Sequence, residues 1–101
     1  MQTMDDFVYN LIMEYNTLRN DKQSETFYNK HFEEVKNFVS ENSRIKDFKI
    51  YRTKCKDGDM GWGVTLHTDN GIVNNHIAYH QKATALLSVT YAVFSKDNLV
   101  V

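Results

Sequence analysis

The amino-acid sequence predicts an α+β domain: an N-terminal helical hairpin, a three-stranded antiparallel β-meander, and a C-terminal helix packed on one sheet face. Three observations predict it. Apolar residues recur at helical spacing through the first part of the chain and alternate through its middle part. The alternating stretches are parted by Asp57-Gly58 and Asn70-Gly71, both strong hairpin signals. A chain of 101 residues supports one core and not two. Residues 1–43 therefore form the hairpin, 44–80 the meander, and 81–101 the last helix and tail of a single domain.

The first helix is capped by Thr3, with Asp6 suited to its positive N-terminal end. At about 100° per residue, Met4, Phe7, Val8, Leu11, Ile12, Tyr15 and Leu18 fall on one stripe. Tyr9 and Met13 lie off it, on the otherwise polar side. After the break at "RNDKQ", a second helix starts near Asp21 or Ser24 and runs to about Glu41. Its stripe is Phe27, Tyr28, His31, Phe32, Val35, Phe38 and Val39. Two amphipathic helices on a short polar link read as an αα-hairpin.

The strands are "RIKDFKIYRTKCK", "MGWGVTLHT" and "IVNNHIAYH". With Asn70-Gly71 as a two-residue loop, Leu66 faces Asn75, Val64 faces Ile77 and Trp62 faces Tyr79. Cross-strand partners share a face, so these residues form the apolar side. Gly61, Gly63, Thr65, His67, Asn74, His76, Ala78 and His80 collect opposite, the two glycines leaving a trough. The same logic at Asp57-Gly58 puts Tyr51, Thr53 and Cys55 beside Trp62, and Arg52, Lys54 and Lys56 on the histidine side. Phe48 and Ile50 then point to the polar side, a conflict that calls for a bulge or a cover at that end. "QKATALLSVTYAVFSKDN" is apolar nearly all round, as in a helix buried on several sides, although its Val, Thr and Tyr content also permits a strand. "LVV" is read as a short terminal strand.

The composition, 42% hydrophobic and 25% charged, is that of an ordinary soluble domain. No signal peptide or membrane span is read from the sequence. The single Cys55 cannot form an internal disulfide, so a cytoplasmic setting is expected. Charge is uneven: residues 1–43 carry eight acids against four bases, and residues 44–101 eight bases against five acids. A polarised surface can steer a charged partner.

No catalytic signature stands out, and the chain is read as non-enzymatic, without cofactor or metal. A nucleophile, base and orienter could be assembled from Cys55, a histidine and Asp57 or Asp59, but those aspartates have a turn role. His67, His76, His80 and Cys55 invite a zinc reading. However, His76 and His80 on a strand lie roughly 13 Å apart, and the register puts Cys55 on the other face. Too few ligands are left for a closed site. His31, in the middle of an apolar stripe, reads as a satisfied core histidine.

Two binding readings follow, and a small metal-binding protein, which elemental analysis of the purified protein would test, is kept as a third alternative. The first is protein–protein contact through Tyr9 and Met13, or through His67 and His76 on the trough face. It describes a stand-alone modulator or inhibitor of a host or effector protein, of the kind phages and mobile elements encode as anti-CRISPR and other anti-defence factors. A homodimer is also compatible with it. The second is RNA or DNA binding through Arg52, Lys54, Lys56 and Lys82. Counted from the second helix, the order α-β-β-β-α over roughly residues 24–96 resembles a double-stranded-RNA-binding domain, with "HQKATALL" standing where that family begins its last helix. The resemblance implies phosphate contacts from the start of that helix. Only Lys82 stands in place of the family's basic cluster, no glycine-rich loop precedes it, and "CKDGD" replaces the family's aromatic and glycine pattern. No site is carried over.

Overall fold

The computed structural model describes residues 4–95, and the side chains of all of these but Met4, Asp5, Asn75, His76 and Ser95. Thr3 and the "LVV" segment therefore lie outside the described residues. The elements run α1 (Met4–Tyr15), α2 (Asp21–Asn42), β1 (Ile45–Lys54), β2 (Met60–Thr68), β3 (Gly71–Tyr79) and α3 (Lys82–Ser95). The sheet is antiparallel in the order β1-β2-β3, as the hairpin signals predict, and residues 82–95 are helix.

The helices end where side chains answer their free backbone groups. Asn20 caps α2, its side-chain oxygen accepting from the Gln23 N–H at 2.9 Å, and Gln23 Oε1 accepts from the Arg19 N–H at 2.6 Å. This is the reciprocal satisfaction of a helix start that polar residues supply. Ser24 is not the cap of its own helix. Its buried hydroxyl accepts from the Ala83 N–H at the start of α3 and so ties two helix N-termini together. At the far end of α2, Ser43 Oγ donates to the Val39 carbonyl and accepts from the Ile45 N–H, fixing the corner into β1.

α1 and α2 meet through rings. Phe7 stacks on Phe38 at 4.6 Å between centroids, and Tyr15 meets Phe27 edge-on at 6.0 Å. These pairs set the two helices antiparallel, as in the expected hairpin. α3 touches both helices and all three strands, so Ala83, Ala85, Leu86, Val89 and Val93 are buried while Tyr91 and Phe94 are exposed. Its near-uniform apolarity follows from that position. Each fully buried large side chain, such as Phe27 or Leu86, contributes about 1.5–3 kcal/mol relative to exposure.

Two strand registers differ from expectation. The β1–β2 loop holds three residues, Lys56, Asp57 and Gly58, and not two. The Cys55 N–H donates to the Asp59 carbonyl at 2.7 Å, the Gly58 N–H to the Cys55 carbonyl at 3.0 Å, and Gly58 has φ +94°. A turn closed by a left-handed glycine is the usual three-residue hairpin. The extra residue reverses the parity of the strand. Arg52, not Thr53, pairs with Trp62, while Ile50 pairs with Val64 and Phe48 with Leu66. Phe48 and Ile50 thus join the helix-covered face, and their conflict with the polar side disappears. Tyr51 and Thr53 move to the opposite face, and Arg52 leaves the histidine side. A bulge at Lys46 lets Ile45 and Phe48, three residues apart, both be buried.

At the second hairpin the loop residues are Asp69 and Asn70, and Gly71 pairs with Thr68. Leu66 therefore faces Val73, and Val64 faces Asn75, in place of Asn75 and Ile77. His76, Ile77 and Ala78 then bulge opposite the single Gly63, which restores the expected Trp62–Tyr79 pair.

Candidate functional site: the sheet edges and the Trp62 cleft

Trp62 is half-buried and packs on the core from β2. Arg52 lies over its ring at 4.8 Å and Lys82 at 4.9 Å, and Lys82 also lies 4.2 Å from the Tyr28 ring. Such cation–π contacts are worth about 0.5–1 kcal/mol each where solvent reaches them. The indole is thus a core residue on its inner side and a platform for cations on its outer side. A cleft of about 290 Å³ opens beside it, with Asp21 and Glu25 on the far wall, and Glu25 stands 4.0 Å from Lys82. The acids answer the bases across this cleft, so it has little surplus charge with which to hold an anion.

The two flanking glycines serve different neighbours. A Cβ at Gly63 would meet the Tyr51 ring at 2.7 Å, so the expected trough is covered there by Tyr51. A Cβ at Gly61 would run into the Cys55 sulfur and the Tyr79 carbonyl. Gly61 therefore lets the first turn fold against the end of β3.

That approach overturns the expected separation of Cys55 from the histidines. The ligand atoms of Cys55, Asp57 and His80 lie within 4.8 Å of one another. His80 Nε2 is 2.8 Å from Asp57 Oδ2, and Asp57 Oδ1 accepts from the Asp59 N–H at 3.0 Å. These two bonds, the backbone one first, hold the Asp57 carboxyl below its ordinary range against slight desolvation. Burial pushes the Cys55 thiol up, and the Asp57 and Asp59 carboxylates add to this against the pull of Arg52. A thiol held protonated is a poor nucleophile. The arrangement resembles a catalytic triad in composition and lacks its activated sulfur.

His31 is satisfied, as expected: Nε2 is 2.9 Å from Glu14 and Nδ1 is 3.0 Å from Glu34. Tyr9 (62% exposed) and Met13 (50%) stand out on α1, also as expected. His67 is half-buried on the open face, opposite Ile72. The side chain of His76, on β3, lies outside the described residues. Lys54 and Lys56 are exposed at the end of β1 and in the first turn, while Arg52 and Lys82 are drawn together on Trp62. The four bases do not form one surface with the histidines.

The sequence reading missed the uncharged edge. Among the described residues, β1 and β3 are the two edge strands. β3 reads "GIVNNHIAY", without Asp, Glu, Lys or Arg, and exposes Ile72 (65%), Val73 (45%) and Ile77 (59%). The bulge after Asn75 leaves 71–75 as its regular stretch. The sequence signal was available in the absence of charge from this strand, an absence that the central strand β2 shares, once β3 is placed at an edge.

The chain matches no known protein family, no curated protein and no solved structure. Among the described residues, no helix is long and apolar enough to cross a membrane.

Proposed function

We propose that this protein is a non-enzymatic binding protein that modulates a partner protein by taking an extended segment of it onto the β3 edge. One observation carries the reading: a strand without Asp, Glu, Lys or Arg that lies, among the described residues, at the edge of the sheet with large aliphatic side chains exposed along it. An edge strand of this kind is a template for another strand, and proteins without a use for one guard it with charge. In strand addition the backbone supplies affinity, and alternate side chains supply specificity. Ile72 and Val73 project to opposite faces of the regular stretch and give the added strand an apolar contact on each side. The nucleic-acid reading has less support, because Arg52 and Lys82 are engaged on Trp62 and flanked by acids.

The test is capture of partners from a host lysate after nuclease treatment, with three proteins as bait. The natural sequence retains a protein partner, Ile72→Lys with Val73→Lys loses it, and Arg52→Ser with Lys54→Ser and Lys56→Ser keeps it. Recovery of nucleic acid alone, lost with the three serines, sinks the reading and moves the function to the basic residues. Light scattering on the purified protein covers the remaining occupant. A stable dimer dissolved by the β3 lysines would mean that the edge is filled by a second copy.

A further inference from the structure

We propose that Cys55, Asp57 and His80 form a three-ligand site for a thiophilic divalent cation, Zn²⁺, that clips the first hairpin turn to the end of β3. Thiol, imidazole and carboxyl are the donors that zinc takes, and here they come from two separate parts of the chain. Their donor atoms lie within 4.8 Å of one another. Around a tetrahedral zinc with bonds of about 2.0–2.3 Å, donors are about 3.5 Å apart. Closure therefore asks for movements of about 1 Å, and Asp57 and His80 are both exposed and able to make them.

The backbone is arranged to permit this. The Cys55 sulfur occupies the space where a side chain at residue 61 would stand, and the glycine there leaves it beside the end of β3. The three-residue loop turns Cys55 toward His80. Asp57 Oδ1 is held by the Asp59 N–H, which orients the carboxylate from behind while Oδ2, now on His80, is the atom free to ligate. Such outer hydrogen bonds are the usual support of a metal ligand. On binding, the thiol proton goes to solvent, the imidazole exchanges its contact with Asp57 for the metal, and water fills the fourth position.

Cobalt titration of the chelator-treated protein tests the site. One equivalent of Co²⁺ should bind with a thiolate-to-cobalt charge-transfer band in the near ultraviolet and should be displaced by Zn²⁺. His80→Gln and Asp57→Asn, both exposed and safe for folding, should each weaken binding by at least about tenfold, and His67→Gln should leave it unchanged. A protein without the thiolate band overturns the proposal. So does a band whose affinity is the same in His80→Gln as in the natural sequence, since the cysteine would then bind metal alone.

Discussion

Among the described residues, the two edges of the sheet are built on opposite principles. β1 carries Lys46, Lys49, Arg52 and Lys54 along its length, and β3 carries no Asp, Glu, Lys or Arg. Both strands are nine or ten residues long and both flank β2, so neither length nor position accounts for the contrast. Lysine on an edge costs little in the monomer and makes pairing with another strand unfavourable. One edge is therefore defended, and the other depends on a short bulge to limit its regular stretch to 71–75. The difference teaches where to look for a partner of this chain.

The largest effect is expected where the two edges are held apart. Gly61 on β2 lies between the Cys55 sulfur and the Tyr79 carbonyl, and the carbonyl oxygen, part of the rigid backbone, is 2.5 Å from where a Cβ at residue 61 would stand. Gly61→Ala should cost about 3 kcal/mol, because overpacking that only a backbone shift can relieve is at the upper end of such penalties. Denaturant unfolding measures it, and amide exchange should quicken both in the first turn and at the end of β3. A loss confined to one of these would mean that Gly61 does not join the two edges.

That glycine also marks the limit of what the sequence could disclose. The helices were legible because their stripes repeat over several turns, and one misplaced residue does not alter the face. Strand faces depend on a single count. Asp57-Gly58 was recognised as a hairpin signal, but the left-handed glycine is one that a two-residue and a three-residue loop use alike, so the dipeptide does not say whether Lys56 belongs to the strand or the loop. Counting one residue too few placed Cys55 away from His80 and Arg52 away from Trp62. The warning was present in Phe48 and Ile50, two large apolar residues sent to the polar side. Taken as the stronger constraint, they select the three-residue loop and with it the Cys55–Asp57–His80 cluster. The β3 bulge had no such signal: Asn75, His76 and Ile77 permit a regular strand equally well.

A second prediction sets the guarding charges of β1 against charges that hold the fold. Glu14 on α1 meets His31 and Lys30 on α2. Partial burial opposes its charge, and the hydrogen bonds from His31 and Lys30 outweigh that, keeping the carboxyl below its ordinary range. A carboxylate only accepts, so the contacts of His31 with Glu14 and Glu34 are complete only with a proton on each ring nitrogen. A depressed carboxyl pKa contributes stability above the ordinary glutamate range, which is lost as pH falls through the folded value. Glu14→Gln should remove no more than about 1 kcal/mol near neutral pH, since solvent screens a partly exposed pair. It should also flatten the acid side of the stability profile, measured by thermal unfolding across pH. An unchanged acid slope would show that this bridge between α1 and α2 is not what acid breaks.

The smallest effect on stability is expected from the edge charges themselves, and it is the most informative about function. Lys46 pairs with Asp69 at 3.0 Å with both side chains largely in solvent, and such pairs are worth little. Replacing Lys46, Lys49 and Lys54 by threonine keeps residues suited to a strand and should alter unfolding free energy by no more than about 0.5 kcal/mol. Association should respond far more. Light scattering against protein concentration should rise in this variant, because β1 loses the charge that guards it, and should fall when lysines are placed at Ile72 and Val73. If the β1 variant stays as dispersed as the natural protein, charge is not what separates the two edges. The exposure of Ile72, Val73 and Ile77 would then have to distinguish them alone, through side-chain contact and not through the backbone of β3.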